Sequence, residues 1–143
     1  MRALPLLLLV TTLVTGCGGG SDAAKPLTPE QVVRAWSTAL NRSDNAKAAS
    51  LFADGAKIEQ GTVEYTLTDR QDRLDFNSGL PCSGTIVDLH AEGDQITATF
   101  ALGERANHRC DAPGVRTTAV FTVRNAKIVA FRQLPPPAPG PVA

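Results

Sequence analysis

The sequence has no surplus of charge of either sign. Its 143 residues carry 14 Lys and Arg against 14 Asp and Glu, so the formal net charge is zero. A nucleic-acid binder needs a basic face to displace counterions from phosphates, and this balance argues against one. It argues equally against attachment to anionic lipid by charge alone. The apolar stretch near the start, "ALPLLLLVTTLV", is too short for a comfortable membrane span. There is no P-loop, no G-x-S-x-G, no H-E-x-x-H and no internal repeat. What is present is an ordinary globular composition, 43% apolar and 20% charged, in a chain long enough for one domain with a real core.

The N-terminus reads as an address. Met1-Arg2 is a minimal positive region, the apolar stretch follows, and Val14-Thr15-Gly16-Cys17 comes next. That tetrapeptide resembles the lipobox of bacterial lipoprotein signal peptides, with valine where leucine is commonest. The resemblance implies cleavage before Cys17 and a thioether-linked diacylglyceryl on it. It also implies a lipid-anchored, extracytoplasmic location at the cell membrane. A plain signal peptide with a chance cysteine is the alternative. Two acyl chains suffice for stable anchoring. The expected layout is a signal peptide over 1–16, the lipidated cysteine and a flexible tether over 17–27, a folded domain over 28–134 and a Pro-rich disordered tail, "PPPAPGPVA", over 135–143.

With Cys17 acylated, Cys82 and Cys110 remain as an even pair in a disulfide-permissive compartment. The expectation is a Cys82–Cys110 disulfide, contributing roughly 3.5 kcal/mol on the chain-entropy model. The rival reading, a metal site of Cys82, His108 and Cys110, lacks the usual ligand spacing. No metal and no cofactor are expected.

Thr28, Pro29 and Gln31 form a capping box for a first helix, with Val32, Val33, Trp36, Ala39 and Leu40 on one face. A short second helix starts at Ser43 or Asp44, has Ala48, Leu51 and Phe52 as its stripe, and ends at Gly55. Strands follow at "AKIEQ" and "TVEYTL". Thr68 is expected to cap a third helix that Gly79 and Pro81 end. "GTIVDLHA" and "QITATFAL" flank a two-residue turn at Gly93-Asp94. That register pairs Val87 with Phe100, Leu89 with Ala98 and Ala91 with Ile96 on one face, leaving His90 on the other. A last hairpin, "VRTTAVFTV" and "KIVAFRQL", has apolar residues on both faces. Phe121 and Ile128 fall with Arg132, and Val120 and Phe131 with Gln133, which implies burial on both sides.

The opening "VVRAWSTALNRSDNAKAASLFADGAKI" and the closing "FTVRNAKIVAFRQLP" resemble the nuclear transport factor 2-like superfamily, which includes SnoaL-like domains. The resemblance covers roughly residues 29 to 134 and implies an α+β, cystatin-like fold. In it a cone-like curved antiparallel sheet wraps around three helices and leaves a conical cavity. Trp36, Phe52, Tyr65, Phe76, Phe100 and Phe121 are candidate cavity-lining residues. Members include polyketide cyclases, ketosteroid isomerases and non-enzymatic binding or dimerising modules, so fold does not choose function.

No catalytic residue is assigned. Cavity chemistry in the superfamily commonly uses an Asp or His base with a polar partner; Asp69, Asp72, Asp75 and His90 are the nearest candidate bases, and Arg70 and Arg73 the nearest partners for an Asp–Arg pair. Solvated charge pairs such as Asp69–Arg73 and a surface histidine are the plainer readings. His108 reads as a solvated loop residue. The favoured function is a membrane-anchored lipoprotein domain that binds a small apolar ligand or a partner protein, with a homodimer through the outer sheet face as one expectation. The alternative is a cell-envelope enzyme of hydrolase, isomerase or cyclase type acting on a small apolar substrate.

Overall fold

Capping decides where the first helix begins. In α1 (Pro29–Asn41) the Thr28 hydroxyl accepts from the Gln31 N–H at 3.3 Å, and the Thr28 N–H donates to Gln31 Oε1 at 2.9 Å. This computed structural model describes residues 23–136. The expected signal peptide, Cys17 and most of the Pro-rich tail lie outside those residues. Among them, three helices and six strands form the order α1, α2 (Asn45–Ser50), β1 (Phe52–Gln60), β2 (Val63–Leu67), α3 (Arg70–Gly79), β3 (Ser83–Glu92), β4 (Gln95–Gly103), β5 (Arg116–Arg124) and β6 (Lys127–Gln133).

Two helix boundaries differ from expectation. Phe52 does not continue α2 but opens β1, where it pairs with Ile128, and Gly55 lies inside that strand at φ 78°. A six-residue helix has few internal bonds to lose, and strand pairing wins: the Ile128 N–H donates to the Leu51 carbonyl at 2.8 Å. In α3 the N-cap is Asp69 and not Thr68. Asp69 is extended, and its carboxylate accepts from the Asp72 N–H at 2.9 Å. Thr68 instead donates to the Asp72 carboxylate, through its hydroxyl and through its N–H at 2.8 Å.

These donors, the Thr68 hydroxyl foremost, hold the Asp72 carboxyl below its ordinary value of 3.8. A lowered folded-state value stabilises the fold above the ordinary carboxylate range, and the contribution is lost as pH falls through the lowered value. Asp72→Asn is therefore expected to flatten the acid limb of the urea-midpoint profile below about pH 4. An acid limb identical to the wild type would exclude this role.

The sheet runs β2-β1-β6-β5-β4-β3. All neighbouring pairs are antiparallel except β1–β6, which is parallel. The curved antiparallel sheet is as expected apart from this one pair: the two strands are far apart in the chain, so no hairpin fixes their relative direction. β2 and β3 are the outer strands, so the curved sheet stays unclosed.

Bulges correct the expected registers. Leu89–Ala98 and Ala91–Ile96 pair as expected, but Ile86, not Val87, faces Phe100, because Val87 is an extra residue that leaves the ladder and is 45% exposed. Gly93 alone of the two turn residues has positive φ, at 61°, as a type II′ turn requires. In the last hairpin the pairing jumps from Thr122–Ala130 to Val123–Ile128, so Val129 is the extra residue. The bulge brings Ile128 and Phe131 onto one buried face with Phe121, and Arg132 points outward. The mixed alternation there came from a bulge and not from burial on both sides.

The inner face holds the core. The Trp36 ring meets Phe121 at 5.2 Å and Phe100 and Phe131 at 6.0 Å between centroids, and Phe76 joins through Phe52 at 5.5 Å. α1 lies closest to β3, and Gly84 on that strand leaves room for the Phe100 ring of β4: a Cβ there would stand 3.1 Å from Phe100 Cδ1. The Gly84 carbonyl accepts from Ser37 Oγ at 2.7 Å and Asn41 Nδ2 at 3.1 Å.

Candidate functional site

The concave face is not filled to its open end. A cavity of about 270 Å³ lies between α1 and the sheet, at the small end of ligand pockets. Trp36, Ser37 and Leu40 reach it from α1. Phe100, Leu102, Ala119 and Phe131 supply apolar wall from β4, β5 and β6. Gln60, Thr117 and Gln133 supply a polar edge, and the segment Leu80 to Gly84 with Asp111 forms the rim.

Of the residues expected to line this space, Trp36 and Phe100 do so. Phe52, Phe76 and Phe121 do not border it; they are at most 7% exposed within the packed core. Tyr65 stays at the sheet edge, 39% exposed, stacked edgewise on Phe76 at 6.4 Å. Burial of its ring side raises the hydroxyl pKa above the ordinary tyrosine value.

The carboxylates of α3 lie elsewhere. Asp69 and Asp72 are spent on the helix start, and Asp75 accepts from Gln71 Nε2 at 2.8 Å on the exposed side. The expected Asp69–Arg73 pair is absent, because Arg73 reaches across to Asp54 of β1. His90 is on the outer face, 68% exposed, 3.5 Å from Glu92. Asp111 is the one ionisable side chain lining the cavity among the described residues, and it is exposed at the rim.

The rim is stapled. Cys82 and Cys110 form a disulfide with Cα atoms 4.5 Å apart. Asp111 Oδ1 lies 3.4 Å from the Cys82 sulfur, a contact without a proton because both sulfurs are in the bridge. His108 is not a solvated loop residue: its Nε2 lies 2.8 Å from the Ser78 carbonyl at the end of α3.

Two residues that matter here carried no sequence signal. Asn77 is fully buried, accepts from Trp36 Nε1 at 2.8 Å and donates to the Arg73 carbonyl at 2.8 Å. Arg105 is 4% exposed, and no carboxylate among the described residues pairs with it. Its Nη1 donates to the carbonyls of Asn77 at 2.9 Å and Leu80 at 2.6 Å, and its Nη2 to Asn45 Oδ1. Burial lowers its pKa from the ordinary arginine value. The negative end of the α3 dipole is the counter-charge it finds. Amphipathic patterning reveals neither residue, because a polar side chain inside an apolar cluster looks like an error until its partners are in place.

Residues 33–131 match the SnoaL-like domain family. The chain belongs to this family. No curated protein matches the sequence. Solved structures share the fold. An NTF2-like protein of unknown function from Cytophaga hutchinsonii is 8% identical with a TM-score of 0.64, over 78% of this chain and 92% of that one. A protein with a ketosteroid isomerase-like fold from Catenulispora acidiphila, solved with trimethylamine, is 20% identical with a TM-score of 0.60, over 76% of this chain and 87% of that one. A de novo designed protein with a curved β-sheet is 13% identical with a TM-score of 0.62, over 76% of this chain and 85% of that one. Identities this low establish the fold alone. That a designed chain shares it underlines that the SnoaL-like scaffold sets a shape and leaves chemistry to individual side chains.

Proposed function

We propose that the mature protein is a lipid-anchored extracytoplasmic binding protein whose SnoaL-like domain takes up a small, uncharged, largely apolar molecule. One observation carries the binding reading. The cavity wall is apolar and amide-bearing, and its single ionisable side chain among the described residues, Asp111, sits exposed at the rim. Affinity then comes from apolar surface removed from water, about 25 cal/mol per Å². Acid–base catalysis would instead need a titratable group against the ligand, with its pKa tuned by burial or a partner. The α3 carboxylates and His90 lie outside the cavity, which disfavours the enzyme reading. The anchor rests on the resemblance of Val14-Thr15-Gly16-Cys17 to a lipobox.

Trp36 is the sole tryptophan and lines the cavity, so its fluorescence is an internal reporter. Titration of the purified protein with ethylbenzene is expected to give a saturable change in Trp36 emission, with Asp111→Asn altering the affinity less than about twofold. The absence of any saturable change would overturn the cavity reading. Turnover of a bound molecule that Asp111→Asn abolishes would install the enzyme reading in its place. For the anchor, intact-mass measurement should find a diacylglyceryl adduct on Cys17. A mature N-terminus elsewhere without lipid would remove that part.

A further inference from the structure

Three neighbouring strands each place a polar side chain on the inner face at the open end of the cavity: Gln60 on β1, Gln133 on β6 and Thr117 on β5. They touch. Gln60 Nε2 donates to Gln133 Oε1 at 3.3 Å, and Gln133 Nε2 donates to Thr117 Oγ1 at 3.2 Å. Tyr65 extends the row from β2, its hydroxyl donating to Gln60 Oε1 at 3.3 Å. The row crosses the sheet at one level, because Gln60 pairs with Gln133 in the parallel β1–β6 ladder.

A primary amide has two N–H donors and two oxygen lone pairs. Inside this row each glutamine uses one donor and one lone pair. Each therefore keeps one N–H and one lone pair unspent. Turning both amides over reverses the direction of the row but leaves the same remainder. Both glutamines are half-buried and stand on the cavity wall. They border the cavity beside Phe131 and Ala119. No Lys, Arg or His lines the cavity among the described residues, and the rim carboxylate of Asp111 opposes an anion.

We infer that the Gln60–Gln133–Thr117 row is a recognition edge for a neutral carbonyl or carboxamide group on an otherwise apolar ligand. The argument rests on the cavity-binding reading above and adds to it which end of the ligand is read and by what. A carboxamide is the complementary partner, because it offers an acceptor to the spare N–H and donors to the spare lone pair. A carboxylate offers acceptors alone and faces a site with no cation, and an ammonium would be drawn to Asp111 and not to the amides.

The test uses four probes of similar size on the purified full chain: benzamide, benzoate, benzylammonium and ethylbenzene, read by Trp36 fluorescence and by the side-chain NH₂ resonances of Gln60 and Gln133. Benzamide is expected to shift both NH₂ pairs and to bind at least about tenfold more tightly than benzoate. Gln133→Met keeps the side-chain length and removes the amide. It is expected to weaken benzamide by about fivefold to tenfold, the effect of one to two neutral hydrogen bonds, while ethylbenzene binds as well or better. A merely structural role for Gln133 would weaken both probes alike. Gln60→Met repeats the comparison if Gln133→Met does not fold. Binding of ethylbenzene with no preference for benzamide, equal weakening of both probes, or tighter binding of benzoate or benzylammonium would overturn this inference and leave the cavity reading intact. Failure of all four probes to bind would overturn both.

Discussion

Replacing Trp36 by alanine is expected to lower the unfolding free energy by about 3–5 kcal/mol. The indole is 4% exposed and packs against the rings of Phe52, Phe100, Phe121 and Phe131. Its removal deletes apolar contact and leaves a void, and both terms act in the same direction. A third loss is polar: Asn77, with no exposed surface, would lose the indole donor at 2.8 Å. Trp36→Phe separates these effects. It keeps most of the ring contact and orphans Asn77 Oδ1, so about 1–3 kcal/mol of the total should remain. Urea unfolding followed by circular dichroism checks both variants, since neither retains the fluorophore. A loss under about 1 kcal/mol for Trp36→Ala would mean that the ring cluster is not the core of the fold.

Reducing the Cys82–Cys110 bridge is expected to cost about 3.5 kcal/mol, the loop-closure entropy that a 28-residue separation removes from the unfolded chain. The native geometry should survive the reduction. The loop after β4 is held independently by Arg105 on the Asn77 and Leu80 carbonyls and by His108 on the Ser78 carbonyl. The effect therefore falls on the unfolded ensemble, and the folded rim stays in place. Urea midpoints with and without reductant, beside the Cys82→Ser/Cys110→Ser double variant, measure it. Non-reducing peptide mapping is the companion test: two free thiols in the oxidised protein would remove the bridge from the account.

The disulfide and the helix starts share a property with the β3–β4 turn. Each is decided by a few residues close in sequence, or by the count of cysteines. Thr28, Pro29 and Gln31 satisfy the first N–H groups of α1 whatever lies beyond. Gly93 permits the positive φ that the turn needs. With the resemblance to the SnoaL-like family, these local signals were enough for the element order, the α+β class and the inner faces of β2, of β4 and of β3 beyond its bulge.

Only the tertiary structure decided where the strands slip. An extra residue at Val87 or Val129 costs little in its own strand. It is selected by how that strand fits its neighbours on a curved sheet, and alternation along one chain contains no term for that. The consequence reaches the cavity. By simple alternation Gln133 shared the face of Phe131 and Val120; the bulge at Val129 keeps Gln133 with Phe131 but turns that face inward, beside Gln60 and Thr117. The same holds for Asn77 and Arg105, whose partners come from elements up to 60 residues away. Short-range hydrogen bonding and periodicity determined which elements form. Long-range strand registry determined which polar side chains meet, because a buried amide or guanidinium is tolerated only where distant partners satisfy it.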